Sequence, residues 1–118
     1  WCIYMLGLVL DWLEEKGGVE GMEAIKHGKA RMLYDTIDAS RLFTCAVEKD
    51  SRSDMNVVFR TASEELDAKF VKESVDAGFT NLKGHRSVGG MRASIYNAMP
   101  VEGVEKLCDF IRAFDKNN

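Results

Sequence analysis

The first ten residues, Trp1-Cys-Ile-Tyr-Met-Leu-Gly-Leu-Val-Leu10, carry no charged side chain, and acids first arrive at Asp11, Glu14 and Glu15. This run constrains the fold more than any other segment. As a helix it is apolar on every side, and such a helix needs cover on every side. No Ser, Thr, Asp or Asn stands ahead of it to cap its first N–H groups. It falls short of the ~20 residues a membrane span requires, and it lacks the basic start and small-residue cleavage site of a secretory leader. A domain built from 118 residues rarely encloses its first helix completely. The expectation is therefore a helix over residues 1–16 that packs on a preceding part of a longer protein.

The rest reads as one soluble domain, residues 1–118, of ordinary domain length. Hydrophobic residues make up 46% and charged residues 30%, enough apolar surface to form a packed core rather than a disordered chain. With 16 basic and 19 acidic side chains the net charge is −3, which excludes a globally basic nucleic-acid binder. Neither a nucleic acid nor a membrane is expected as a partner. Cys2, Cys45 and Cys108 are odd in number and have no CxxC spacing, so no disulfide framework is expected. With only two histidines no metal site is expected either. A reducing compartment, the cytoplasm, fits this usage.

Gly17-Gly18 stops the first helix, and Val19, Met22, Ile25, Leu33 and Ile37 recur near helical spacing in a second. Gly21 and Gly28 inside it point to close packing on the first helix. Lys26, His27 and Lys29 read as its solvated face. Strands are predicted over 42–47 and 55–60, the latter with Met55, Val57 and Phe59 on one face. Thr61 and Glu64 have capping-box spacing ahead of a helix carrying Leu66, Phe70, Val71 and Val75. Glu64 and Glu65 suit its N-terminus better than a catalytic carboxylate pair. Short extended segments follow at 80–83 and 92–97, separated by a glycine-rich loop over 84–91. Pro100 opens the last helix, with Val104, Leu107, Cys108, Ile111 and Phe114 as its buried stripe. The predicted order is α-α-β-β-α-β-β-α. The fold class is α+β, two layers, with a small antiparallel or mixed sheet and helices on one face.

The chemistry concentrates in Lys83-Gly-His-Arg-Ser-Val-Gly-Gly-Met-Arg-Ala-Ser-Ile-Tyr-Asn97. No Asp or Glu occurs between Asp76 and Glu102, while Lys83, His85, Arg86 and Arg92 all do. Positive charge segregated in this way within an acidic chain marks a candidate anion site. Arginine donates two parallel hydrogen bonds to a carboxylate or phosphate, and His85 adds a third donor. Gly84, Gly89 and Gly90 let the backbone approach a ligand. The competing reading is a Gly-Gly hairpin with solvated basic side chains. There is no Walker lysine, Ser-His-Asp order, HExxH or CxxC, and no catalytic residue is assigned.

Residues 84–98, Gly-His-Arg-Ser-Val-Gly-Gly-Met-Arg-Ala-Ser-Ile-Tyr-Asn-Ala, closely resemble the C-terminal signature of the phosphoserine aminotransferases, pyridoxal-phosphate enzymes of the class V group. The likeness extends to Ile3–Leu10 with Trp12-Leu13, to Gly17-Gly18-Val19 with Met22, to Arg52-Ser53 and Met55-Asn-Val57, and to Glu73-Ser74 and Ala77-Gly78. The resemblance implies the small C-terminal domain of an aspartate-aminotransferase-like fold, with residues 1–16 as the helix that links it to the large domain. It implies an enzyme moving an amino group from glutamate to 3-phosphohydroxypyruvate in serine synthesis, with a related reaction in vitamin B6 synthesis. By similarity, Arg92 holds the substrate α-carboxylate, and His85 and Arg86 help bind the distal phosphate or the glutamate side-chain carboxylate. The partners implied are the large cofactor-binding domain, small anionic substrates such as phosphoserine and glutamate, and a second subunit of a homodimer. The family's Schiff-base lysine and cofactor cradle belong to the large domain, so no cofactor is expected on this chain alone and it is not expected to transaminate by itself. The family pattern departs here at Val58, where a proline is usual, and at Trp1-Cys2. The alternative is a free-standing anion-binding or interaction module without catalysis.

Overall fold

A computed structural model describes all residues, 1–118. Four helices and two paired strands follow in the order α1 (Cys2–Glu15), α2 (Gly18–Asp38), β1 (Asn56–Phe59), α3 (Glu64–Asp76), β2 (Met91–Ser94) and α4 (Val101–Asn117), with one 3-10 turn at Lys49–Ser51. The strands pair antiparallel, Asn56 opposite Ser94, Val57 opposite Ala93, Val58 opposite Arg92 and Phe59 opposite Met91. The α+β class holds, but two of the four expected strands shrink to single bridges, Thr44 with Arg60 and Lys83 with Met91.

Both reductions have a visible cause. Before Thr44 the chain is drawn towards α4 instead of along a ladder. The Leu42 amide donates to Asp115 Oδ1 at 2.8 Å and the Phe43 amide to Ser40 Oγ at 3.0 Å. Their N–H groups are thereby satisfied without a partner strand. In the other segment Asn81 takes a left-handed φ of 61°, which breaks the extended run directly before Leu82.

Alternation along the strands sends Val57, Phe59, Met91 and Ala93 into the core, while Asn56, Val58, Arg92 and Ser94 face the other way and are half-buried. Helices α2, α3 and α4 cover the inner face. Phe70 of α3, completely buried, sits among Phe43, Phe59, Phe110 and Phe114 with ring centroids 5.0–5.9 Å away. The expected stripe of α4, Val104 to Phe114, is buried throughout. In α2, Met22, Leu33 and Ile37 are buried, but Val19 is exposed; in α3, Val75 is exposed too. The cap of α3 is Ser63, whose hydroxyl accepts from the Leu66 amide at 3.2 Å, and not Thr61. Thr61 is instead buried, donating to Asp67 Oδ1 at 2.8 Å and so tying β1 to α3.

Helix α1 packs on α2 and buries none of its residues; Trp1 is 89% and Ile3 87% exposed. At the α1–α2 corner a side chain on Gly21 would collide with the Lys16 carbonyl, whereas Gly28 has open space around it. Close approach therefore accounts for the first glycine and not for the second. No helix is long and apolar enough to cross a membrane.

Candidate functional site

The 84–90 loop is held by its own backbone. The Gly84 amide donates to Gly90 O at 2.8 Å, and the Val88 and Gly89 amides donate to His85 O at 2.9 and 2.8 Å. A Cβ on Gly84 would strike the Gly89 carbonyl, and one on Gly90, at φ +64°, would lie 2.8 Å from the Phe59 carbonyl. Glycine is required at both because backbone meets backbone there. Arg60 at the end of β1 adds a clamp, donating from Nη2 to Val88 O at 2.8 Å. The sequence reading gave that arginine no role.

His85 and Arg92 line a common cleft of about 300 Å³ with Val47, Val58 and Val88 among its walls. His85 Nδ1 accepts from the Ser87 amide at 3.3 Å and lies 2.7 Å from Ser87 Oγ. Nε2 has no partner in the chain and is open to meet an anion. Arg92, opposite Val58 on the outer face, keeps a buried Nε with no hydrogen-bond partner. A buried donor left open in this way is the kind of group a ligand satisfies. Arg86 is not brought into this cleft. It stands on the exposed loop and lines a second depression of about 720 Å³, beside Arg60, Lys72 and Lys83 and facing Glu64, Asp67 and Asp76 of α3. His85 borders both.

The partnering of the arginines separates these two from the rest. Of the seven in the chain, Arg31, Arg52 and Arg112 pair with Asp35, Asp38 and Asp109, and Arg41 and Arg60 donate to backbone carbonyls. Only Arg86 and Arg92 have neither an ion pair nor a side-chain hydrogen bond. Arg52 is the opposite case: its bidentate bonds of 2.7 and 2.8 Å to Asp38 hold that carboxyl below its ordinary range.

Lys29 overturns its sequence reading as a solvated residue. It is 1% exposed, and its ammonium donates to the carbonyls of Tyr96 at 2.8 Å, Asn97 at 3.4 Å and Met99 at 2.9 Å. Burial lowers its pKa. Its companions behave differently: Lys26 is half-buried, and His27 is exposed with Nδ1 3.2 Å from Asp54. The signal available in the sequence was helical phase, since Lys29 lies seven residues after Met22 and four before Leu33, on the apolar stripe. Asn56 was also missed. Its side-chain oxygen accepts from Ser94 Oγ at 3.2 Å and Tyr96 Oη at 3.4 Å, linking the strands on the outer face. Cys108 is buried, which raises its thiol pKa, Cys45 is half-buried and Cys2 exposed; all three are free.

The site thus sits on a two-strand sheet backed by helices, with an open arginine on the far face. Residues 2–107 match the family described as Aminotransferase class-V, and the chain belongs to that family. Within it the similarity is to phosphoserine aminotransferases. The chain is 56% identical over 117 residues to the one from Lactococcus lactis subsp. cremoris (strain MG1363) and 53% identical over 116 residues to that from Niallia circulans, each alignment covering 98% of this chain and 32% of the relative. Among solved structures, phosphoserine aminotransferase from Bacillus circulans subsp. alkalophilus superposes with a TM-score of 0.95 at 53% identity over 98% of this chain and 32% of that one. The pyridoxal-phosphate-bound enzyme from Trichomonas vaginalis gives 0.81 at 39% identity over 86% of this chain and 30% of that one. The chain thus spans about a third of the length of the relatives it matches.

The cleft of His85 and Arg92 does not make a complete cofactor site. It has no lysine in its lining. The one fully buried lysine, Lys29, spends its ammonium on three backbone carbonyls.

Proposed function

We propose that this chain is the C-terminal small domain of a phosphoserine aminotransferase and supplies the anion contacts of an active site whose cofactor is held by a large domain. The reaction is amino transfer between glutamate and 3-phosphohydroxypyruvate in serine synthesis, in the cytoplasm, by a homodimer. The observation that carries the reading is the open pair of arginines: Arg86 and Arg92 lack partners while every other arginine has one.

Arg92 takes the substrate α-carboxylate. It is half-buried on a strand with its Nε buried, so its guanidinium is restricted before the ligand arrives, and a charge-assisted bidentate bond gains from that. His85, with its Nε2 unpartnered, and Arg86, on the exposed loop, take the distal phosphate or the side-chain carboxylate of glutamate. Two anionic ends held at two positions fix the substrate between them, and orientation of this kind removes much of the entropic barrier to reaction. The bared face of α1, with Ile3, Tyr4, Leu6 and Leu10 outward, is the surface the large domain covers.

The test is steady-state kinetics of the full-length enzyme carrying this chain. Arg92→Ala removes a charge-assisted pair of ~1.5–3 kcal/mol, and kcat/KM for glutamate and for phosphoserine falls by about tenfold to a hundredfold. Unchanged kinetics remove Arg92 from the site.

A further inference from the structure

A buried lysine with no carboxylate partner is an expensive way to stabilise a core, because the charge loses its hydration. Lys29 is such a residue: it is almost fully buried and forms no ion pair. What the ammonium alone can do is offer three donors from one point, and all three go to the turn that ends β2, at Tyr96, Asn97 and Met99. That turn has few other ties, the Met99 amide donating to Tyr96 O and the Ile95 amide to Met55 O, each at 2.9 Å. Apolar core side chains could fill the space, but none could satisfy those carbonyls.

The held turn leads straight to the outer face. Side-chain alternation puts Arg92, Ser94 and Tyr96 in one row, and Ser94 and Tyr96 both donate to the Asn56 side chain across the strand pair. Lys29 fixes the backbone of Tyr96 from the core side, and Asn56 fixes its hydroxyl from the other. The row carrying Arg92 is thus pinned at its far end.

We propose that Lys29 is a positioning residue of the anion site, its buried ammonium holding the turn at 96–99 and through it the outer-face row in which Arg92 meets the substrate carboxylate. This rests on the placement of Arg92 at the carboxylate.

The experiment compares Lys29→Met and Arg92→Ala with the parent in the full-length enzyme, reading KM for glutamate, kcat and Tm for each. Methionine keeps most of the stem and removes the charge and donors. Lys29→Met is expected to raise the KM for glutamate about tenfold or more, since a small misplacement of a binding group is enough for that, with a smaller change in kcat. A purely structural role lowers the amount of folded enzyme, and so the apparent kcat, and leaves KM alone; that result overturns the proposal. If Arg92→Ala raises KM and Lys29→Met does not, the positioning role fails and the carboxylate site stands. If Arg92→Ala leaves KM unchanged, the carboxylate site fails and the role of Lys29 falls with it. Should Lys29→Met not fold, Lys29→Gln, which keeps an amide donor, replaces it: an intermediate rise in KM supports the role and an unchanged KM overturns it.

Discussion

The glycines of the 84–90 loop give a sharp pair of substitutions. Gly89 and Gly90 have nearly the same backbone, φ +73° and +64°, but different surroundings. A Cβ on Gly89 meets nothing within 4 Å, while one on Gly90 would lie 2.8 Å from the Phe59 carbonyl and 3.1 Å from Arg60 Cβ. Both substitutions to alanine incur the left-handed penalty of ~1–2 kcal/mol. Only Gly90→Ala adds a backbone collision, of the order of the ~1–3 kcal/mol found for overpacking. Gly89→Ala should therefore cost about 1 kcal/mol and Gly90→Ala about 3 kcal/mol. At roughly 4 °C per kcal/mol for a domain of this size the Tm drops by about 4 °C and 12 °C. Differential scanning calorimetry on the two variants and the parent reads the difference. Hydrogen exchange at the Gly84 amide, which donates to Gly90 O, should speed up in Gly90→Ala far more than in Gly89→Ala. Equal Tm shifts would show that the close approach of this loop to β1 is not what requires glycine at 90.

Three further outcomes follow from the packing and the charges. Phe70→Ala empties the centre of the aromatic cluster and should cost about 3–5 kcal/mol in chemical denaturation, whereas Val75→Ala, exposed on the same helix, should change stability by under ~0.5 kcal/mol. Arg52 bonding holds the Asp38 carboxyl below its ordinary pKa; for Asp115 burial acts to raise the value, but the bonds from the Leu42 and Arg41 amides and from Ser40 outweigh it and the net shift is downward. Their contributions are therefore complete above the unfolded carboxylate value of ~3.9 and disappear as pH falls through the lower folded values. Arg52→Gln should cost about 1 kcal/mol at pH 7 and flatten the acid limb of a stability–pH curve. The 118-residue chain alone, incubated with pyridoxal phosphate and then borohydride, should show no single modified lysine by mass spectrometry; stoichiometric labelling of one lysine would contradict the incomplete cofactor site.

How far the sequence carried depended on the range of the forces involved. The stripe of α4 was legible because burial on a helix repeats locally, and Val104 through Phe114 all fall inside. The lack of partners at Arg86 and Arg92 was legible because a stretch without acids offers its own arginines no local carboxylate. The segment 42–47 has strand composition, but its register was decided by Asp115, 73 residues from Leu42. The phase of Lys29 put it on the apolar stripe of α2, but the carbonyls that make a buried ammonium tolerable lie 67 to 70 residues away and are invisible to a local pattern. The α3 cap was misplaced by two residues, Thr61 for Ser63, since both residues suit a cap and only the tie to Asp67 tells them apart.

The most direct measurement is a crystal structure of the full-length enzyme carrying this chain with phosphoserine bound. The account requires the α-carboxylate within hydrogen-bond reach of the Arg92 guanidinium, with its open Nε or a terminal nitrogen donating, and the phosphate on His85 and Arg86. An α-carboxylate held elsewhere, with Arg92 still unpartnered on the outer face of the sheet, would contradict it.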